Sequence, residues 1–262
     1  MVAAAKQADA VWYPETDEMG EHALQRFIAE LLRGVLVRWF RAQGRVAFAG
    51  ANQFVYWREG DPHASRAPDV YVLEGVPQDA PEVGSWKTWE GHAPSFALEV
   101  CSADNWQKDY DDAPADYDAM GVRELVIFDP GATARSRRRV RWQLYRRVRG
   151  VLKSVASARG DRVWSQVLGC FVRLVDQDGH PRLRLATGPN GGLLLPTAEE
   201  AEQAALALVH AERAAKEAAL AAEAAERVAK EAARAEVERL RRALAEALGA
   251  APPVGTRSEG TG

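Results

Sequence analysis

SFALEVCSADNWQKDYDDAPADYDAMGVRELVIFDP, residues 95–130, decides the fold. Its first eight residues are largely apolar around a single acid, Glu99, a composition suited to a strand in the middle of a sheet. Pro114 is tolerated in the first turn of a helix and poorly inside one. The helix of this stretch is therefore expected to start a residue or two before Pro114 and to run to Gly121, with residues 102–110 as a loop. Residues 122–130 form a second apolar strand, stopped by Pro130.

Upstream, APDVYVLEG (67–75) reads as a strand with Asp69 at its start. RVAFAGA and QFVYW read as short strands around a turn near Ala51–Asn52. Residues 22–44 place Leu24, Phe27, Ile28, Leu31, Leu32, Val35 and Trp39 on one helical stripe that stops at Gly44. Downstream, VRWQLYRRV (140–148), a strand near 163–175 and RLRLA (182–186) suggest further antiparallel structure. The order is helix, strands, helix, strand, which is a mixed α/β fold.

Composition changes sharply after residue 195. Residues 196–249 are almost entirely Ala, Glu, Arg, Lys and Leu, and 250–262 form a Pro/Gly/Ser-rich tail expected to stay disordered. Thr197 and Glu200 match a capping box. With no Gly or Pro before Gly249, the helix is expected to run roughly 50 residues, about 75 Å, and so to project. Val237, Leu240, Leu244 and Leu248 make a seam through which it can pair with a second copy, as a coiled coil. The alternative is a solvated Ala-rich helix.

Two distant cysteines, Cys101 and Cys170, read as buried free thiols of a reducing cytosol. The five histidines show no paired spacing of a zinc site. No apolar run approaches the roughly 18 residues needed to span a bilayer, and the N-terminus shows no signal peptide, so a cytoplasmic location is expected. The net charge of −3 gives no global argument for nucleic acid.

The chemistry centres on Asp69 and Glu99. Two acids from neighbouring strands on one face make a hard oxygen site suited to Mg²⁺, which activates water and stabilises charge on a transferring phosphate. A structural reading, Glu99 paired with an arginine and Asp69 in a turn, stands beside it.

PDVYVLEGV, WKTWEGHAPSFALEVCS and DYDDAPADYDAMGVRELVIFDP, taken in order, resemble the Uma2 family of restriction endonucleases, within the PD-(D/E)xK nuclease superfamily. The resemblance covers about residues 15–195, and RLRRAL (239–244) is similar to a motif that often ends the family's C-terminal helix. It implies a restriction-endonuclease-like αβββαβ core over 1–195. It also implies that Asp69, Glu99 and the Val100 carbonyl hold Mg²⁺ or Mn²⁺, with DNA as substrate.

The departures are specific. The superfamily lysine two residues after the Glu is Cys101 here. The family's relocated pattern on the following helix reads Asp109, Ala113, Tyr117, so its central lysine is also absent. Lys108, swinging from the expected loop, is the stand-in, completing a catalytic set of Asp69, Glu99 and Lys108; a surface lysine paired with Asp112 is the plain alternative. Gln107 can also orient a water. Glu21 opens the first helix and is a possible further site residue or simply a helix-start acid. Trp86, Lys87 and Trp89 match the family's WKxWE segment, where packing is the simpler role for the tryptophans.

RSRRRVRWQLYRRVRG (135–150) supplies a local basic stretch. Alternation places Val140, Trp142 and Leu144 on one face and Arg139 and Arg141 on the other. Arg137, Arg139, Arg141 and Arg147 are candidate phosphate-backbone contacts; the alternative is a charged edge strand. The expected function is Mg²⁺-dependent hydrolysis of DNA phosphodiesters. The alternative is a degenerate nuclease fold acting as a nucleic-acid-binding or protein-interaction module.

Overall fold

The strand pairing follows from side-chain alternation. The computed structural model describes residues 23–79, 84–102, 106–133, 135–177 and 180–249. In chain order the elements are α1 (Ala23–Ala42), β1 (Ala47–Gly50), β2 (Val55–Tyr56), β3 (Ser65–Arg66), β4 (Val70–Glu74), β5 (Trp86–Lys87), β6 (Phe96–Val100), α2 (Trp106–Asp111) and α3 (Ala113–Met120). They continue with β7 (Glu124–Phe128), β8 (Trp142–Val148), β9 (Val151–Ala158), β10 (Arg162–Ser165), β11 (Cys170–Gln177), β12 (His180–Thr187), β13 (Leu193–Leu194) and α4 (Ala198–Gly249).

The central sheet runs β1-β4-β6-β7-β8-β9. β6 and β7 are parallel, and the other neighbours are antiparallel. With α1 before β1 and the α2–α3 segment between β6 and β7, the core has the expected αβββαβ order. A crossover helix is what a parallel pair requires.

Successive residues of β6 sort onto opposite faces. Phe96, Leu98 and Val100 join the core cluster containing Ile28, Leu32, Val35, Leu36 and Phe40 of α1. Ala97 and Cys101 join the cluster containing Ala113, Tyr117 and Met120 of α3. Val70 and Val72 of β4 face α1, whereas Tyr71 and Leu73 belong to the α3 side. Glu99 and Asp69 share the parity of that α3 side. The buried stripe of α1 extends to Leu36 and Phe40, while Phe27 is 40% exposed with Arg182 over its ring.

Some expected connections are revised. Asn52 does make a turn, with φ of +54°. The flanking strands do not pair across it: β1 pairs with β4, and β2 joins β3 and β5 in a separate small sheet. The strand near 163–175 is two strands, β10 and β11, joined at Gly169 with φ of +69°. They belong to a second sheet, β10-β11-β12-β13, whose Val163, Val172, Leu183 and Leu185 pack in the cluster with α1.

Of the expected loop over 102–110, residues 106–110 are helical: α2 spans Trp106–Asp111, and Asp112 N–H still donates to the Lys108 carbonyl. Pro114 has no N–H to give to the Tyr110 carbonyl, so the helix breaks at Asp112 and resumes as α3. Gly121, at φ of +90°, ends it in a left-handed cap.

The chain divides into two compact units, Met1–Ala201 and Glu202–Gly262. In the first, the capping box forms: Glu200 N–H donates to Thr197 Oγ1, and Thr197 N–H donates to Glu200 Oε2. Arg184, 3% exposed, binds the same Glu200 carboxylate. In the second, α4 carries i,i+4 pairs such as Arg213–Glu217 and Glu226–Lys230 along an exposed surface. Val237, Leu240 and Leu244 are half-exposed or more. The C-terminal tail lies outside the described residues.

Candidate active site

Asp69 directly precedes β4, and Glu99 is the fourth residue of β6. The antiparallel register pairs Val70 with Leu98; carried one residue further, it sets Asp69 opposite Glu99. Both are buried, at 7% and 8% exposure. Asp69 Oδ2 accepts the Val100 N–H at 2.6 Å. Gln25, on α1, donates from Nε2 to the Val100 carbonyl at 2.7 Å.

Glu99 is held from two further sides. Its Oε1 accepts the Tyr117 hydroxyl at 2.5 Å and Arg66 Nε at 2.7 Å. Arg66 also donates through Nη1 to Asp116 at 2.8 Å and approaches Asp109 through Nη2 at 3.5 Å. Its guanidinium lies 5.6 Å from the centre of the Tyr117 ring. Asp109 accepts the Ser102 N–H at 3.2 Å. Three carboxyl groups therefore gather around one guanidinium.

The electrostatics follow from that crowding. Burial, then the charge of Glu99 and a hydrogen bond between the two side chains, raise the Asp69 carboxyl well above the usual carboxylate range. The Val100 N–H pulls the other way without cancelling this. Burial also raises Asp109 and the Tyr117 hydroxyl, with Glu99 adding to both. For Arg66, burial opposes the charge, but Glu99 and its other partners outweigh that and raise its pKa.

Among the described residues, no group of three or more His, Cys, Asp and Glu side chains is placed to hold a metal ion. The donor set here is different: two carboxyls and one backbone carbonyl, all hard oxygens. A buried carboxyl pair in which one member is driven toward its protonated form is short of positive charge. A divalent cation taking the place of that proton fits this chemistry.

The other expected residues sit as follows. Lys108 is exposed on α2 and contributes a positive field at Asp109. The cation bonded to Glu99 is Arg66, which the sequence reading did not single out. Gln107 is exposed on the same helix, and Glu21 lies outside the described residues. Gln25, in the first turn of α1, is a residue of that helix that reaches the site. The hint for Arg66 was its place two residues before Pro68, as the one arginine or lysine between Arg58 and Lys87.

The arginines of the basic run have separate partners. Arg139 makes a two-pronged contact with Asp129, at 2.8 and 2.5 Å, and stacks over Trp106. Tyr110 donates to the same Asp129, tying α2 to the end of β7. Arg141 donates to the Ala132 carbonyl, and Arg137 is exposed. Arg147, at the far end of β8, pairs with Asp118 at 2.9 Å and donates to the Val122 and Gly150 carbonyls. Cys101 and Cys170 are buried free thiols.

No curated protein matches the chain. A crystal structure titled as a putative nuclease belonging to DUF820, from Anabaena variabilis, is similar at 16% identity, covering 58% of this chain and 76% of that one, with a TM-score of 0.41. The family described as "Uma2: Putative restriction endonuclease" matches residues 15–170, more than half of the sequence. The chain belongs to the Uma2 family.

Proposed function

We propose that this protein hydrolyses DNA phosphodiester bonds with the help of a divalent ion, Mg²⁺ or Mn²⁺. The observation that carries this reading is the buried Asp69–Glu99 pair, set face to face by adjoining strands and short of positive charge. Asp69, Glu99 and the Val100 carbonyl would hold the ion. When bound, it supplies a polarised phosphoryl oxygen and a water of lowered pKa.

The chain's own groups prepare that arrangement. Gln25 fixes the Val100 carbonyl, and Tyr117 and Arg66 fix the Glu99 carboxylate. Burial of the two acids keeps bulk water from competing for them. Hydrolysis adds water across one P–O bond, and the proton ends on the departing oxygen.

A specific observation favours the second reading, a degenerate nuclease fold. Cys101 and Ala113 are both buried, and Lys108, the lysine nearest to them in sequence, is exposed. No helix of the described residues is long and apolar enough to cross a membrane. Pairing of two chains through the Val237–Leu244 seam belongs to this proposal too, and light scattering on the chain with and without residues 196–262 tests it.

Nicking of supercoiled plasmid in Mg²⁺ or Mn²⁺ tests the main reading. Activity lost in both Asp69→Ala and Glu99→Ala supports it. Activity that survives Glu99→Ala overturns the site.

A further inference from the structure

Three observations converge on one side chain. Arg66 is anchored by carboxylates on three sides, Glu99, Asp116 and Asp109. Asp109, at the middle of α2, and Asp116, in the first turn of α3, lie four residues before and three after Ala113. A guanidinium that touches both therefore bridges the two helical segments that meet next to Ala113. Ala113 and Cys101, the two positions where the family resemblance puts a lysine, are small and buried on this same side of the sheet.

We infer that Arg66 supplies the positive charge that binds and neutralises the reacting phosphate, in place of a lysine at position 101 or 113. This inference rests on the metal-dependent hydrolase reading above. A guanidinium carries five N–H donors. Three of its N–H groups are directed at Glu99, Asp116 and Asp109, which leaves two for a phosphate oxygen. The side chain keeps 16% of its surface exposed.

The acid partners fix the planar fork while burial keeps it close to Glu99. An arginine held this way presents donors in fixed directions, as an ammonium on a flexible stem does not. The charge count agrees. Asp69, Glu99, Asp109 and Asp116 carry −4 when ionised, a divalent ion adds +2 and Arg66 adds +1, leaving −1. Without Arg66 the site would meet an anionic phosphodiester at −2.

The test pairs plasmid nicking in Mn²⁺ with calorimetric titration of Mn²⁺ alone and with thermal melting, on Arg66→Ala, Arg66→Lys, Lys108→Ala and the double variant Arg66→Ala/Ala113→Lys. Arg66→Ala is expected to lower nicking about 100-fold, the size of losing one charge-stabilising donor, while still binding Mn²⁺. Arg66→Lys is expected to recover part of that loss. The double variant, with a cation returned from the helix, is expected to recover roughly tenfold.

Unchanged nicking in Arg66→Ala overturns the inference, as does a loss in Lys108→Ala alone. Mn²⁺ binding lost together with nicking in Arg66→Ala also overturns it, since Arg66 would then only prop the acids. If the unaltered protein neither binds Mn²⁺ nor nicks DNA, the hydrolase reading itself falls and takes this inference with it.

Discussion

Arg66 Nε donates to Glu99 Oε1 at 2.7 Å, and this contact joins a two-residue strand to the middle of the central sheet. The pair is largely buried, with side-chain exposures of 16% and 10%. Glu99 has a guanidinium and a tyrosine hydroxyl to balance its charge. Asp69, opposite it, has one backbone N–H. The two acids of the site are therefore unequal, and their substitutions should behave differently.

Asp69→Asn removes a charge that burial and Glu99 both oppose. In metal-free buffer it should melt higher than the unaltered protein, by roughly 2–4 °C for each kcal/mol relieved in a unit of this size. Glu99→Gln weakens two charge-assisted hydrogen bonds and takes one of its three carboxylates from Arg66, so it should melt lower. Both should lose divalent binding. Differential scanning calorimetry in a chelator checks the first pair of outcomes.

The pH dependence follows from the same asymmetry. The Asp69 carboxyl is raised above its ordinary 3.8, so the folded chain holds that proton where the unfolded chain has released it. Its contribution to stability is fully present below the ordinary value and is lost as pH rises through the folded-state pKa. Metal-free stability should therefore fall with rising pH over that window, relative to Asp69→Asn. Divalent affinity should rise over the same window, because proton and ion compete. Urea melts and Mn²⁺ titrations at several pH values measure both slopes.

Gln25→Leu leaves the Val100 carbonyl without its side-chain donor. Divalent affinity should drop about 10- to 100-fold, as for other groups that orient a ligand. The melting temperature should change little, because position 25 is only partly buried. A calorimetric titration that finds unchanged affinity would show that the carbonyl needs no such support.

Within the basic run, the positions divide by what they touch. Arg139→Ala leaves the fully buried Asp129 side chain with the Tyr110 hydroxyl and the Gly131 N–H but no cation, and should cost about 1–3 kcal/mol in urea denaturation. Arg137→Ala, at an exposed position, should stay within about 0.5 kcal/mol. If the run contacts DNA, Arg137→Ala should instead reduce the salt dependence of binding by about one phosphate contact.

The parts legible in the sequence were those with a strong period. β4, β6 and β7 announce themselves through apolar runs, and Asp69 and Glu99 stand out as the acids inside two of them. Other parts carried weak local signals. β9 alternates poorly, since Leu152 is its one buried residue, and so it escaped notice. α2 was missed because Pro114 reads as a helix start, although the Asp112 N–H bond carries the helical path up to it. Arg66 reaches Glu99 across 33 residues through a strand of two, a placement that only the folded sheet defines.

The site rests on Asp69 and Glu99 holding a divalent ion together, and calorimetric titration of Mn²⁺ into the unaltered protein at neutral pH tests that most directly. A single saturable site, abolished in Asp69→Asn and in Glu99→Gln while both variants still melt cooperatively, is the expected result. Binding that persists unchanged in either variant, or no binding by the unaltered chain, would contradict it.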